Sequence, residues 1–312
     1  MAKKHNAIPG GGTGRNSAYL FRDKSSYRSL KDRQKNSQEF GAKVFGTEGN
    51  IAGELTGTSI FDPVLCEIIY RWFCPAGGRI LDPFAGGSVR GLVAALLGFD
   101  YVGIDLMAGQ IAANEQQAQN ICRDKKPTWI VGDSRYIEKI VTDPVDLIFS
   151  CPPYFDLERY SGDSADVSNA LDYNEFIGDY FLICRQSCVL LKENRFACFV
   201  VGDIRDRLGF YRGFVSDTIK AFEQAGARLY NEAILITALG SLPIRAGYPF
   251  AKFRKLGKTH QNVLIFYKGD PQKIPDQLGM LGVVTDDPGA TVQRGGGLST
   301  PTPTPAFRVT AK

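Results

Sequence analysis

Between residues 58 and 268 the chain alternates short apolar runs with stretches whose apolar positions recur at helical spacing. The runs GGRILDPF (77–84), DYVGIDL (100–106), TWIVGDS (128–134), VDLIFS (145–150), RFACFVVGD (195–203), YNEAILIT (230–237) and QNVLIFYK (261–268) predict seven strands. Between them, FDPVLCEIIYRWF (61–73) places Leu65, Ile68, Ile69 and Trp72 on one helical face, and GSVRGLVAALLG (87–98) closes on Gly98, a helix-stop signal. AANEQQAQNICR (112–123) and the stretches 174–191 and 213–225 complete the helices. Strands alternating with helices imply an α/β fold with a doubly wound, mostly parallel sheet covered on both faces. The last two runs, with no helix expected between them, predict an antiparallel edge strand.

The flanks lack this pattern. Residues 1–57 are polar and basic, and residues 270–312 are rich in Gly, Pro and Thr, so three regions are expected: an irregular arm (1–57), one folded domain (58–269) and a disordered tail (270–312). The net charge of +4 conceals an asymmetry, because residues 1–50 carry +6 and the remainder −2. A basic arm on a near-neutral body suits a polyanion partner. PGGGTG (9–14) reads as a linker, since no Gly-Lys-Ser/Thr follows. No run approaches the roughly 20 apolar residues of a membrane span. The opening MAKKHNAIPGGGTGR has no apolar signal core, and seven cysteines without a tight framework read as reduced thiols, which together predict a cytoplasmic protein. With only His5 and His260 and no C-x-x-C pair, no metal site is expected, and Cys184 and Cys188, four apart on a helix, read as core.

Candidate chemistry collects at strand ends, where open α/β sheets bind ligands. The run ending at Ser150 meets Cys151, Pro152, Pro153 and Tyr154; neither proline can donate to a strand ladder, so a stiffened aromatic loop begins there. The first strand runs into Asp82-Pro83-Phe84, and Gly86 and Gly87 would let backbone approach a ligand at a helix N-terminus. Asp105 ends the second strand, where a carboxylate takes hydrogen bonds from a ribose diol, and Asp133 ends the third. A nicotinamide cofactor fits poorly: Gly86, Gly87 and Gly91 do not form G-x-G-x-x-G, and Asp82 would repel a pyrophosphate. A ligand with an amine and a sulfonium, S-adenosylmethionine, would be attracted instead, with Asp133 accepting from its adenine amino group.

LDPFAGG followed by GID, GDS and CPPY resembles the amino-methyltransferase family that modifies adenine N6 or cytosine N4 in DNA. The likeness spans about residues 58–269 and implies a Rossmann-like methyltransferase fold. It assigns Asp82–Gly87 to the cofactor loop, Asp105 to the ribose and Cys151–Tyr154 to catalysis. TGTSIFDP (56–63) is similar to the segment packed at the methionine end of the cofactor, and KTHQNVLIFYKG (258–269) to the family's terminal strand. The motif order matches one of the permuted groups. In such enzymes the rigid loop receives a flipped base: Tyr154 would stack on it, while the Pro152 carbonyl and the Cys151 side chain would hold its amine toward the methyl donor. No covalent intermediate is needed.

Three positions depart from the family pattern. Cys151 stands where Asp, Asn or Ser is usual; its closeness in shape to Ser tilts the expectation toward cytosine N4. Ser88 replaces a glycine, and Gln261 replaces the acid that often follows the histidine. The competing readings are an RNA base-amine methyltransferase and an inactive module that binds cofactor and nucleic acid. GSLPIRAGYPFAKFRKLGK (240–258) holds Arg245, Lys252, Arg254, Lys255 and Lys258 with three aromatics and no acid, and is expected to be an exposed loop that touches DNA.

Overall fold

The computed structural model describes residues 61–155, 167, 170–237 and 242–280, without the side chains of 243–245. The expectations for the arm 1–57 fall outside these residues. In chain order the elements are α1 (Pro63–Phe73), β1 (Arg79–Asp82), α2 (Val89–Leu96), β2 (Asp100–Asp105), α3 (Ala108–Ile121), β3 (Thr128–Val131), a 3-10 turn (Ser134–Tyr136), α4 (Ile137–Ile140) and β4 (Val145–Ser150). There follow α5 (Tyr173–Leu190), β5 (Leu191–Val201), α6 (Phe214–Gln224), β6 (Arg228–Ile236), α7 (Leu242–Phe253), β7 (His260–Lys268), a second 3-10 turn (Pro271–Lys273) and α8 (Ile274–Leu278).

The seven strands form one mixed sheet in the order β3-β2-β1-β4-β5-β7-β6. β1 pairs in parallel with β2 and with β4, β2 with β3, and β4 with β5. β7 runs antiparallel to β5 and β6, so the antiparallel strand lies one in from the edge and β6 is the border. The chain also places α7 between the last two strands, where none was expected. This is the Rossmann-like α/β architecture.

The strict alternation of side chains along the strands builds two cores. Leu81, Ile104, Ile148, Phe199 and Phe266 face α5 and α6 through Phe176, Tyr180, Phe214 and Phe222. Ile80, Tyr101, Leu147, Phe149 and Val263 face α1, α2 and α3 through Ile69, Tyr70, Leu92 and Ile111. α1 starts because Asp62 accepts from Val64 N–H at 2.8 Å and Pro63 takes the first helical position. Its fully buried residues are Cys66, Ile69 and Tyr70; of the predicted stripe Ile69 is among them, Leu65 packs at the core edge, and Trp72 stands half in solvent.

The predicted tail also differs at its start. Residues 270–280 continue the domain: Ile274 and Leu278 of α8 pack against the α1–α3 core, and Gln277 accepts from Arg195 at 2.7 Å. The Gly/Pro/Thr bias belongs to residues 281–312, outside the described residues.

Candidate active site

Because β2 and β3 lie on one side of β1 and β4 and β5 on the other, the order in which strands are added reverses between β1 and β4. The loops leaving those two strands are neighbours at the switch point, the usual ligand crevice of such sheets. They are tied directly, with Ser150 Oγ donating to Asp82 Oδ1 at 2.6 Å.

Asp82 is fully buried, and both its oxygens face the protein. Oδ1 also accepts from Phe84 N–H at 3.2 Å; Oδ2 accepts from Arg90 Nε at 2.6 Å and from the Tyr101 hydroxyl at 2.8 Å. Burial works against the Arg90 charge, but Asp82 outweighs it and lifts the guanidinium above its ordinary pKa. Burial, reinforced by Asp82, likewise raises Tyr101. The sequence reading gave the Asp82 charge to the ligand's amine and sulfonium; the structure matches it with Arg90 instead. A carboxylate without exposure needs a charged partner, and this one has it inside the fold.

Arg90 also shapes the loop itself. Its Nη2 donates to the carbonyls of Phe84 at 2.6 Å and Ala85 at 3.0 Å, and the Phe61 ring lies 4.8 Å from its guanidinium. Ser134 Oγ donates to the Pro83 carbonyl at 2.6 Å, so three successive loop carbonyls are turned inward. The Phe84 ring stacks on Tyr180. Gly86 adopts φ +49°, and a Cβ on Gly86 or Gly87 would meet nothing within 4 Å. The glycines therefore border open space on the side where a cofactor would lie.

Asp105 ends β2 and accepts from Gly86 N–H at 2.8 Å and Met107 N–H at 2.8 Å. The buried Asn114 of α3 donates to the Gly86 carbonyl at 2.8 Å, so Gly86 is clasped from both ends. Ser88, the position that departs from glycine, donates to Gln117 of α3. Asp133, just past the end of β3, is bonded within the protein. Its oxygens accept from Arg135 Nε at 2.9 and 3.1 Å and from Arg135 Nη2 at 2.8 Å, and Arg135 reaches on to Asp179 at 3.0 Å. Those hydrogen bonds to Asp133 raise the Arg135 pKa against the effect of burial. Asp133, through Arg135, ties the turn after β3 to Asp179 of α5.

On the β4 side, Pro152 is buried while Cys151, Pro153 and Tyr154 are partly exposed. Tyr154 packs edge-on against Phe214, with ring centroids 6.2 Å apart, and its hydroxyl accepts from Gln261 Nε2 at 2.6 Å. Gln261, unexplained by the sequence, thus steadies the aromatic of the loop after β4.

The basic segment 240–258 is a helix and not a loop over Leu242–Phe253, and it contains Pro249. Arg245 lies within it. The ammonium of Lys252 sits 4.9 Å from the Phe253 ring, and that of Lys255 5.4 Å from the same ring. Arg254 Nη1 donates to the carbonyls of Ala251 at 2.7 Å and Phe250 at 3.2 Å, which closes the helix C-terminus, and Lys258 is partly buried.

Sequence reasoning passed over Arg90 and Asn114, and noted Gln261 without finding its role. Only Arg90 left a local signal: a cation on the apolar face of a helix, eight residues after a strand-end acid. Among the described residues no cluster of His, Cys, Asp and Glu could hold a metal ion, and no helix is long and apolar enough to cross a membrane.

No family model matches the sequence, and no curated protein matches it. Among solved structures, the chain is similar to TrmN from Thermus thermophilus at 16% identity, covering 68% of this chain and 51% of that one, with a TM-score of 0.45. It is also similar to the magnesium protoporphyrin IX methyltransferase ChlM of Synechocystis PCC 6803 (10% identity, 66% and 79% covered, TM-score 0.43). A third is an rRNA methylase from Streptococcus thermophilus (10% identity, 68% and 100% covered, TM-score 0.43). The matched region thus spans about half of the TrmN chain. At these identities the likeness concerns the fold alone.

Proposed function

We propose that this protein is an S-adenosylmethionine-dependent DNA methyltransferase that modifies an exocyclic base amine, with cytosine N4 favoured over adenine N6. One observation carries the reading. The glycine loop after β1 and the Cys-Pro-Pro-Tyr loop after β4 leave adjacent strands at the switch point and are bonded to each other through Asp82 and Ser150. A methyl donor on the first loop and a flipped base on the second would meet there.

The open space beside Gly86 and Gly87 fits the cofactor, which would supply an electrophilic methyl group. Asp105 would hold its ribose, while Asp82, Arg90 and Asn114 keep the loop in shape. Tyr154, steadied by Gln261, would stack on the base. The Pro152 carbonyl would accept from the amine and orient its lone pair, with the Cys151 thiol, a weaker partner, at its side. Catalysis is then mostly positioning, and Cys151 forms no bond to the base. The preference for cytosine rests on the likeness in size between Cys151 and the serine that N4 enzymes carry.

The test is transfer of labelled methyl from S-adenosylmethionine to duplex DNA and to RNA in parallel, followed by nucleoside analysis. N4-methylcytosine in DNA is the expected product. Label in RNA alone would refute the DNA assignment, since a Pro-Pro-Tyr loop can serve a guanine amine equally well. Asp105→Ala should weaken cofactor binding in calorimetry at least about 10-fold, the scale of lost hydrogen bonds to a charged group.

A further inference from the structure

The segment joining β5 to α6 plays no part in the site above. Residues 204–212 double back tightly: Arg205 and Tyr211 form an antiparallel bridge, Asp206 N–H donates to the Phe210 carbonyl at 2.8 Å, and Arg212 N–H donates to that of Ile204 at 2.9 Å. Asp206 Oδ1 accepts from the N–H groups of Gly209 at 2.7 Å and Phe210 at 2.9 Å. Arg205 donates to the Gly209 carbonyl at 2.7 Å and lies 3.8 Å from the Tyr211 ring. Gly209, at φ +100°, makes the turn.

This well-bonded tip holds two large apolar side chains in solvent. Leu208 is 81% exposed and Phe210 70%. Arg207 beside them is exposed, and the only acid of the tip, Asp206, is engaged inside the turn. The hairpin also joins the two regions described above. At its base, the Arg212 guanidinium lies 5.1 Å from the ring of Phe155, the residue after Tyr154. At its tip, a Cβ on Gly209 would overlap the end of the Lys255 side chain, so this lysine, two residues past α7, lies against the turn.

We infer that this hairpin is a DNA wedge: Leu208 and Phe210 enter the base stack beside the extruded base, while Arg207 and Lys255 meet the flanking phosphates. The inference rests on the DNA reading above. Apolar side chains on rigid protrusions can part neighbouring base steps, and cations around them bind backbone without reading sequence. Pulling a paired base out of a duplex needs such help, whereas an unpaired base does not. Positive charge around an apolar tip, next to the catalytic loop, favours a nucleic acid over a protein partner.

The experiment compares the full chain with Leu208→Ala/Phe210→Ala, on a duplex and on the same target strand offered alone. The double variant should transfer methyl to the duplex about 10-fold more slowly, the scale of one lost base stack. Transfer to the single strand should be unchanged. A 2-aminopurine next to the mapped target base should brighten on binding wild type and stay dim with the variant. Equal rates on duplex DNA for the two proteins overturn the wedge and leave the methyltransferase reading intact. An equal loss on both substrates also overturns it, because that is a folding effect. No transfer to DNA by wild type overturns the underlying reading and the wedge with it.

Discussion

Gln261 Nε2 donates to the Tyr154 hydroxyl at 2.6 Å, joining β7 to the Cys-Pro-Pro-Tyr loop across 107 residues of sequence. Under the proposed function Tyr154 stacks on a flipped base, and a fixed hydroxyl end would help it do so. Gln261→Leu should therefore lower methyl transfer about 2- to 10-fold, the range of one net hydrogen bond, with cofactor affinity unchanged. Gln261→Glu can accept from the hydroxyl and should retain most of the rate. Steady-state rates of the two variants check this, and equal rates for Gln261→Leu and wild type would sink it.

Arg90 and Asp82 form a buried ion pair that also sets the loop carbonyls. Arg90→Met strands the Asp82 charge in the core. Breaking a buried pair costs about 3–5 kcal/mol, and urea titration should read a loss on that scale. Tyr101→Phe removes a single hydrogen bond to the same carboxylate and should cost less.

Six cysteines, Cys66, Cys74, Cys122, Cys184, Cys188 and Cys198, are buried, whereas Cys151 is partly exposed. Burial pushes the thiols of Cys66 and Cys188 up to about 12, which keeps them protonated and unreactive at neutral pH. Brief alkylation of the native protein should mark Cys151 ahead of the others in peptide mass spectra, and S-adenosylhomocysteine should slow it. Cys151→Ser should keep or raise activity and Cys151→Ala lower it partially. Loss of turnover in both, or a trapped covalent adduct, would instead indicate a nucleophilic cysteine.

At the opposite end of β4, burial opposes the charge of Asp146. The N–H of Arg79 at 3.0 Å, Lys192 at 2.9 Å and Arg195 at 3.1 Å outweigh it and hold the carboxyl below its ordinary pKa. A carboxyl depressed in the folded state contributes stability that is full above its unfolded pKa, about 3.9, and is lost as pH falls through the folded value. Wild type should therefore unfold at a higher temperature than Asp146→Asn near neutral pH, and the gap should begin to narrow as pH falls below about 4. A gap that does not change at all as pH falls from about 7 to the acid limit of folding would mean that the carboxylate charge is not its source.

The α/β class, the seven strands and the placement of both loops at strand ends were legible in the sequence. They follow from local causes: alternation of apolar runs with helical spacing, prolines that end a strand, glycine after a strand-end acid. Trp72 shows the limit of that reading, because its spacing suits the buried face and only the packing of α1 leaves it half in solvent. The place of β7 between β5 and β6 could not be read either, since strand order is settled by pairing between segments far apart in the chain. Pattern pointed to Asp82 and Asp133 as ligand acids because a carboxylate at a strand end looks the same whether it faces solvent or a guanidinium. Burial decided that question: Asp82 has no exposure and must be neutralised within the fold, by Arg90. For Gln261 no local feature could serve, because its meaning lies in a hydrogen bond that exists only once β7 has docked beside β5 and brought it to Tyr154.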